Sequence, residues 1–90
     1  MRKKTLKTAI AVYGVEAQMV VAIEELAELQ KELTKQLRGK GDPNHMAEEI
    51  ADVRIMLEQL VMAFDLNNSV DSWEASKLVR LENNLVLNGN

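Results

Sequence analysis

Met46, Ile50, Val53, Leu57, Leu60 and Phe64 follow one another at intervals of four, three, four, three and four residues. Side chains at that spacing return to one face of an α-helix, and no strand pattern imitates it over so long a stretch. Ile55 and Val61 add apolar surface beside and beyond the stripe, more than a single partner helix would cover. A chain of 90 residues supports one hydrophobic core, so this helix and whatever packs on it make a single domain. Tyr13, Phe64 and Trp73 are the only aromatic residues, and five methionines accompany many aliphatic ones. That composition suits helices better than a sandwich of strands, and an all-α fold is expected.

The remaining segments agree. Leu6, Ala9, Ile10 and Tyr13 predict a short helix from about Thr5 to Tyr13, which Gly14 ends or bends. Val15 to about Leu37 reads as a longer helix with Met19, Ile23, Leu26, Leu29 or Gln30, and Leu33 on one stripe. Gln18, Val21, Glu25, Glu28 and Glu32 occupy the stripe beside it. The main loop is Arg38 to Asn44, which holds two of the four glycines and the only proline. Either Asp42, with Pro43 at the first helical position, or Asn44 caps the third helix, which runs to about Asp65. After Leu66, Asn68 or Ser69 is placed to cap a fourth helix from about Val70 to Leu87, and Asn88 to Asn90 form a tail expected to fray. In that last helix Glu74, Leu78, Leu81 and Leu85 share one face, and Trp73, Lys77, Arg80 and Asn84 another.

Composition removes several classes of function. Without cysteine there is no disulfide framework, thiolate zinc site or cysteine nucleophile, and a reducing, cytoplasmic setting is expected. A net charge of −3 gives no electrostatic footprint for nucleic acid. Arg2, Lys3, Lys4 and Lys7 resemble the charged start of a signal peptide, but Glu16 and Gln18 interrupt the apolar stretch before it reaches membrane-spanning length.

What stands out chemically is a repeated acidic pattern, Glu24-Glu25-x-x-Glu28 on the second helix and Glu48-Glu49-x-x-Asp52 on the third. Residues three apart are neighbours on a helix, so Glu25 with Glu28 and Glu49 with Asp52 each make a pair of like charges that repel. Solvated surface pairs such as Glu28 with Lys31 or Glu32 with Lys35 explain one such cluster, yet here the acids adjoin the apolar stripe and the arrangement recurs after a short loop. Two antiparallel helices would bring the carboxylates together around a cation, and Mg²⁺ is the hard ion that binds oxygen ligands and phosphates. A di-iron site is a poorer match, since no Glu-x-x-His motif is present. The single histidine, His45, lies one turn before Glu49.

The paired motif, with Tyr13-Gly14-Val15-Glu16-Ala17-Gln18 before it and Lys77-Leu78-x-Arg80-Leu81-Glu82 near the end, resembles the MazG-like nucleotide pyrophosphohydrolases of the all-α NTP pyrophosphatase superfamily. The likeness spans about Leu6 to Leu85. It implies a four-helix, bundle-like domain that hydrolyses nucleoside triphosphates between the α and β phosphates, and that forms homodimers or homotetramers. It implies Mg²⁺, with Mn²⁺ as a substitute, on Glu25, Glu28, Glu49 and Asp52, with Glu24 orienting a ligand, holding a second metal or helping to activate water. Lys77 and Arg80 resemble the family's phosphate contacts, and Gln18 is placed to touch the nucleotide. Two other readings stay open: a superfamily relative acting on dUTP or phosphoribosyl-ATP, and a non-enzymatic helical protein whose acidic faces bind a basic partner.

Overall fold

Local chemistry sets the helix boundaries in the computed structural model, which describes residues 1–89. Those residues form four helices and no strand: α1 (Arg2–Tyr13), α2 (Val15–Leu37), α3 (Pro43–Ala63) and α4 (Asn67–Gly89). Gly14 separates the first two with φ 91° and ψ 150°, a conformation that favours glycine. Its N–H closes α1 on the Ile10 carbonyl at 2.8 Å, its own carbonyl receives the Gln18 N–H at 3.1 Å, and the helix axis turns by 111° across it. Gly14→Ala is therefore expected to destabilise the protein by about 1–3 kcal/mol through backbone strain alone, since a Cβ there meets no neighbouring atom. Thermal unfolding monitored by circular dichroism checks it.

Asp42, not Asn44, caps α3: its side chain accepts the Asn44 N–H at 2.9 Å, with Pro43 at the start of the helix. At the other end α4 begins three residues earlier than the expected Val70. Asp65 takes φ 52°, the left-handed turn that a short polar residue tolerates, and the Leu66 carbonyl receives the Val70 N–H at 2.8 Å. Asn68 and Ser69 thus lie inside the helix and do not cap it. The helix also continues through Asn88 and Gly89, where the sequence suggests fraying, and Asn90 lies outside the described residues.

The five-residue connection between α2 and α3 makes them antiparallel neighbours, and theirs is the most extensive contact in the chain. The faces they share are not the whole apolar stripes: of the α3 stripe only Val53 is buried, with Met46 and Leu60 half-buried. From α2 the seam takes Gln18, Ala22, Glu25, Leu29 and Glu32, and from α3 it takes Glu49, Asp52, Val53, Met56 and Gln59. Met19, Ile23, Leu26 and Leu33 on α2, with Ile50, Leu57 and Phe64 on α3, stay largely exposed, Ile23 at 66% and Phe64 at 48%. Leu6, Ala22, Val53 and Met56 are the only buried apolar residues among those described.

α1 lies against both helices, held by Arg2 to Glu58 and by the Gln18 side-chain amide, which donates to the Ala9 carbonyl at 3.4 Å. Glu58 shares its side of α3 with Ile55, so α1 half-covers the residue expected to mark an interface; Val61 is half-buried too. The apolar surplus falls instead on Ile50, Leu57 and Phe64. α4 approaches only α3, and every one of its residues from Asn67 to Asn88 is exposed. Four helices are present, but α4 does not join the other three in a bundle within the chain.

Candidate metal centre

Glu25 sits at the middle of the α2 face that packs on α3, and Glu49 and Asp52 project from successive turns of the opposing face. One carboxylate oxygen from each of the three lies within 4.8 Å of the other two, and all three residues are half-buried. Three acids so close cannot all be ionised cheaply. Burial first, then the negative charge of Asp52 and of Glu49 and their closeness as hydrogen-bonding acceptors, push the Glu25 carboxyl up to about 7. Oε2 of Glu49 is buried with no hydrogen-bond partner, which leaves an acceptor turned inward and unsatisfied. A proton held by crowded carboxylates, together with an unpaired inner oxygen, is the chemistry of a site that a divalent cation can take over.

The other residues singled out in the sequence are placed unevenly. Glu28 is on the turn after Glu25 but exposed, and it lies outside the group of three. Glu24 and Glu48 are exposed as well. Gln18 is buried about two turns away, facing α1, with its amide nitrogen given to Ala9. His45 stands at the exposed start of α3 with Nε2 4.0 Å from Asp42 Oδ2. Lys77 and Arg80 are exposed on α4, which approaches α3 and not α2; the Lys77 ammonium lies 5.9 Å from the centre of the Trp73 ring, within reach of a cation–π contact.

Two buried polar residues on the same seam escape a reading of the sequence by hydrophobic pattern. Glu32 is buried two turns beyond Glu25, with Lys35 Nζ 3.6 Å from its Oε1, and Gln59 is buried two turns beyond Asp52 with Oε1 unpaired. Their signal is the same four-three spacing, Gln18-Ala22-Glu25-Leu29-Glu32 and Glu49-Asp52-Met56-Gln59, running beside the more apolar stripes. Comparison of the whole chain with protein-family profiles, with curated proteins and with solved structures finds no match, so the centre is characterised by its own geometry.

Proposed function

We propose that the chain is a Mg²⁺-dependent nucleotide pyrophosphohydrolase, which converts a nucleoside triphosphate to the monophosphate and pyrophosphate. The observation that carries this reading is the convergence of Glu25, Glu49 and Asp52, from two helices, on one half-buried point. The paired acidic motif and its likeness to the MazG-like enzymes supply the reaction class.

In this reading Glu25, Glu49 and Asp52 hold the ion, with Glu28 joining from the adjacent turn. Bound Mg²⁺ would supply positive charge for the polyphosphate and acidify a water molecule. A bound cation would favour the ionised form of Glu25, whose carboxyl is raised to about 7 in the metal-free site. Glu24 projects about 100° round the helix from Glu25, in solvent, where its carboxylate can orient the attacking water or receive its proton. No serine, cysteine or histidine nucleophile is required, because water attack on an anhydride needs position and charge neutralisation. A panel of common and modified nucleoside triphosphates, assayed with Mg²⁺ and with EDTA, tests the proposal: metal-dependent turnover of at least one nucleotide is expected, and none in the whole panel rejects it.

Lys77 and Arg80 are assigned to the phosphates, reaching them as α4 is packed in the assembled protein. A charge-assisted contact strengthens as negative charge moves during cleavage. Lys77→Ala and Arg80→Ala are expected to lower kcat/KM by about tenfold each, with part of the loss in kcat. Steady-state kinetics that match the wild type in both variants return these residues to the role of solvated cations.

A further inference from the structure

We propose that the cleft between the start of α1 and α3 binds a small organic phosphate, with the phosphate group held between the guanidinium groups of Arg2 and Arg54. The cleft has a volume of about 510 Å³ and is lined by Arg2 and, from α3, by Ala51, Arg54, Ile55, Leu57 and Glu58. Ala51, Arg54, Ile55 and Glu58 follow one another at intervals of three, one and three residues, so they share one helical face. At about 100° per residue, that face is rotated by about 150° from the one that presents Glu49, Asp52, Val53, Met56 and Gln59 to α2. The cleft is therefore separate from the carboxylate centre, and binding there needs no metal.

The charges of the cleft suit an anion. Glu58 accepts a hydrogen bond from Nε of Arg2, which orients the guanidinium and leaves its terminal nitrogens without a protein partner among the described residues. Arg54 is exposed and has no ion pair among those residues. Two forked donors lining one cleft match a phosphate, whose oxygens accept parallel hydrogen bonds from guanidinium groups. The surroundings are positive although the chain as a whole carries −3, because Arg2, Lys3, Lys4 and Lys7 all precede the first acid, Glu16. The first turn of α1 holds no acid, and no side chain caps it. Arg2, Lys3 and Lys4 thus stand where the helix dipole favours negative charge, a conflict that a bound anion relieves.

The rest of the lining sets the class of ligand. Ala51, Ile55 and Leu57 bring apolar side chains to the wall beside the two guanidinium groups. A volume of about 510 Å³ lies within the roughly 300–1,000 Å³ of small-molecule sites and is more than a lone phosphate fills. A phosphate dianion on a compact organic body uses both parts of the cleft, and sugar phosphates and nucleoside monophosphates share that chemistry. Neither Arg2 nor Arg54 has a part in the proposed hydrolysis, so this site stands or falls independently of it.

The test is an NMR titration of the ¹⁵N-labelled full chain in EDTA, which silences the carboxylate centre. The probes are orthophosphate, ribose 5-phosphate and adenosine 5′-monophosphate. At least one of the two organic phosphates is expected to saturate with a Kd of about 1 mM or lower, and to bind more tightly than orthophosphate. The backbone amides of residues 2–4 and 51–58 should move most. Arg54→Gln is expected to weaken binding about tenfold or more, and Arg54→Lys, which keeps the charge but loses the fork, to restore part of it. Glu58→Gln keeps an acceptor for Nε of Arg2 while removing the only negative charge of the lining, so binding should tighten about threefold or more. Arg54 is exposed and unpaired, so its variants are expected to fold. Three results overturn the proposal: no saturable binding of either organic phosphate, shifts centred on Lys77 and Arg80 instead of the cleft, or wild-type affinity in Arg54→Gln. No readout depends on turnover, so a protein that hydrolyses no nucleotide can still bind here, and one that does can still fail.

Discussion

Glu25→Gln and Glu49→Gln are each expected to reduce nucleotide hydrolysis by about 100-fold to 1,000-fold or more, with helicity unchanged. A carboxamide keeps the size of the side chain and offers the ion a weaker, neutral oxygen. It also removes one charge from three carboxylates crowded within 4.8 Å, so the metal-free variants should be as stable as the wild type or slightly more so. This combination of lost turnover with preserved or improved melting separates a ligand from a structural residue. Initial rates over a range of Mg²⁺ concentrations, beside thermal melts in EDTA, check it. Near-wild-type turnover in both variants contradicts the metal assignment.

A second large effect concerns pH. The Glu25 carboxyl is raised from an ordinary 4.5 to about 7 by burial and by its two acidic neighbours. Between those values the folded chain keeps a proton that the unfolded chain has released, so the native state binds more protons and its stability falls as pH rises. The stabilisation from the proton that Glu25 retains is present below about 4.5 and is lost as pH climbs through about 7. Metal-free protein should consequently melt at a lower temperature at pH 8 than at pH 5.5. Saturating Mg²⁺ should reverse the order at the high end, because an ionised Glu25 is then a ligand, and a Tm increase of about 5 °C or more is expected at pH 8. At pH 5.5 the ion competes with the proton and should stabilise much less. Calorimetric melts at both pH values, with Mg²⁺ and with EDTA, measure all four numbers. Equal Mg²⁺ effects at the two pH values contradict the coupling between Glu25 and the ion.

The helices are legible in the sequence because their punctuation is chemical: Gly14, Asp42-Pro43 and the polar break after Phe64 all fall where the chain turns. Of the four carboxylates expected to converge, Glu25, Glu49 and Asp52 come together on the facing turns of the antiparallel pair, whereas Glu28 stays exposed outside the group. Which stripe of each helix faces the other is not. Both α2 and α3 carry two adjacent stripes with four-three spacing, one strongly apolar and one mixed. Hydrophobic periodicity selects the first, whereas the contact within the chain uses mainly the second, with Glu25 and Glu32 on α2 and Glu49, Asp52 and Gln59 on α3, and takes only Val53 as a buried residue from the α3 apolar stripe. The more apolar stripes stay exposed on the single chain, so the rule that apolar residues go inside does not by itself pick the contact face. α4 likewise reads as a bundle member yet stands exposed: its apolar positions form too narrow a stripe to say what they pack on.

The central claim, that these carboxylates serve hydrolysis of a nucleoside triphosphate, is tested most directly by the identity of the products. Purified protein is incubated with Mg²⁺ and the nucleotide panel, and the reaction is followed by phosphorus NMR without any added pyrophosphatase. The reading predicts nucleoside monophosphate and pyrophosphate in equal amounts from the outset, and nothing when EDTA or Glu49→Gln protein replaces the Mg²⁺-loaded wild type. Nucleoside diphosphate with orthophosphate, or an unchanged spectrum for every nucleotide, would contradict it.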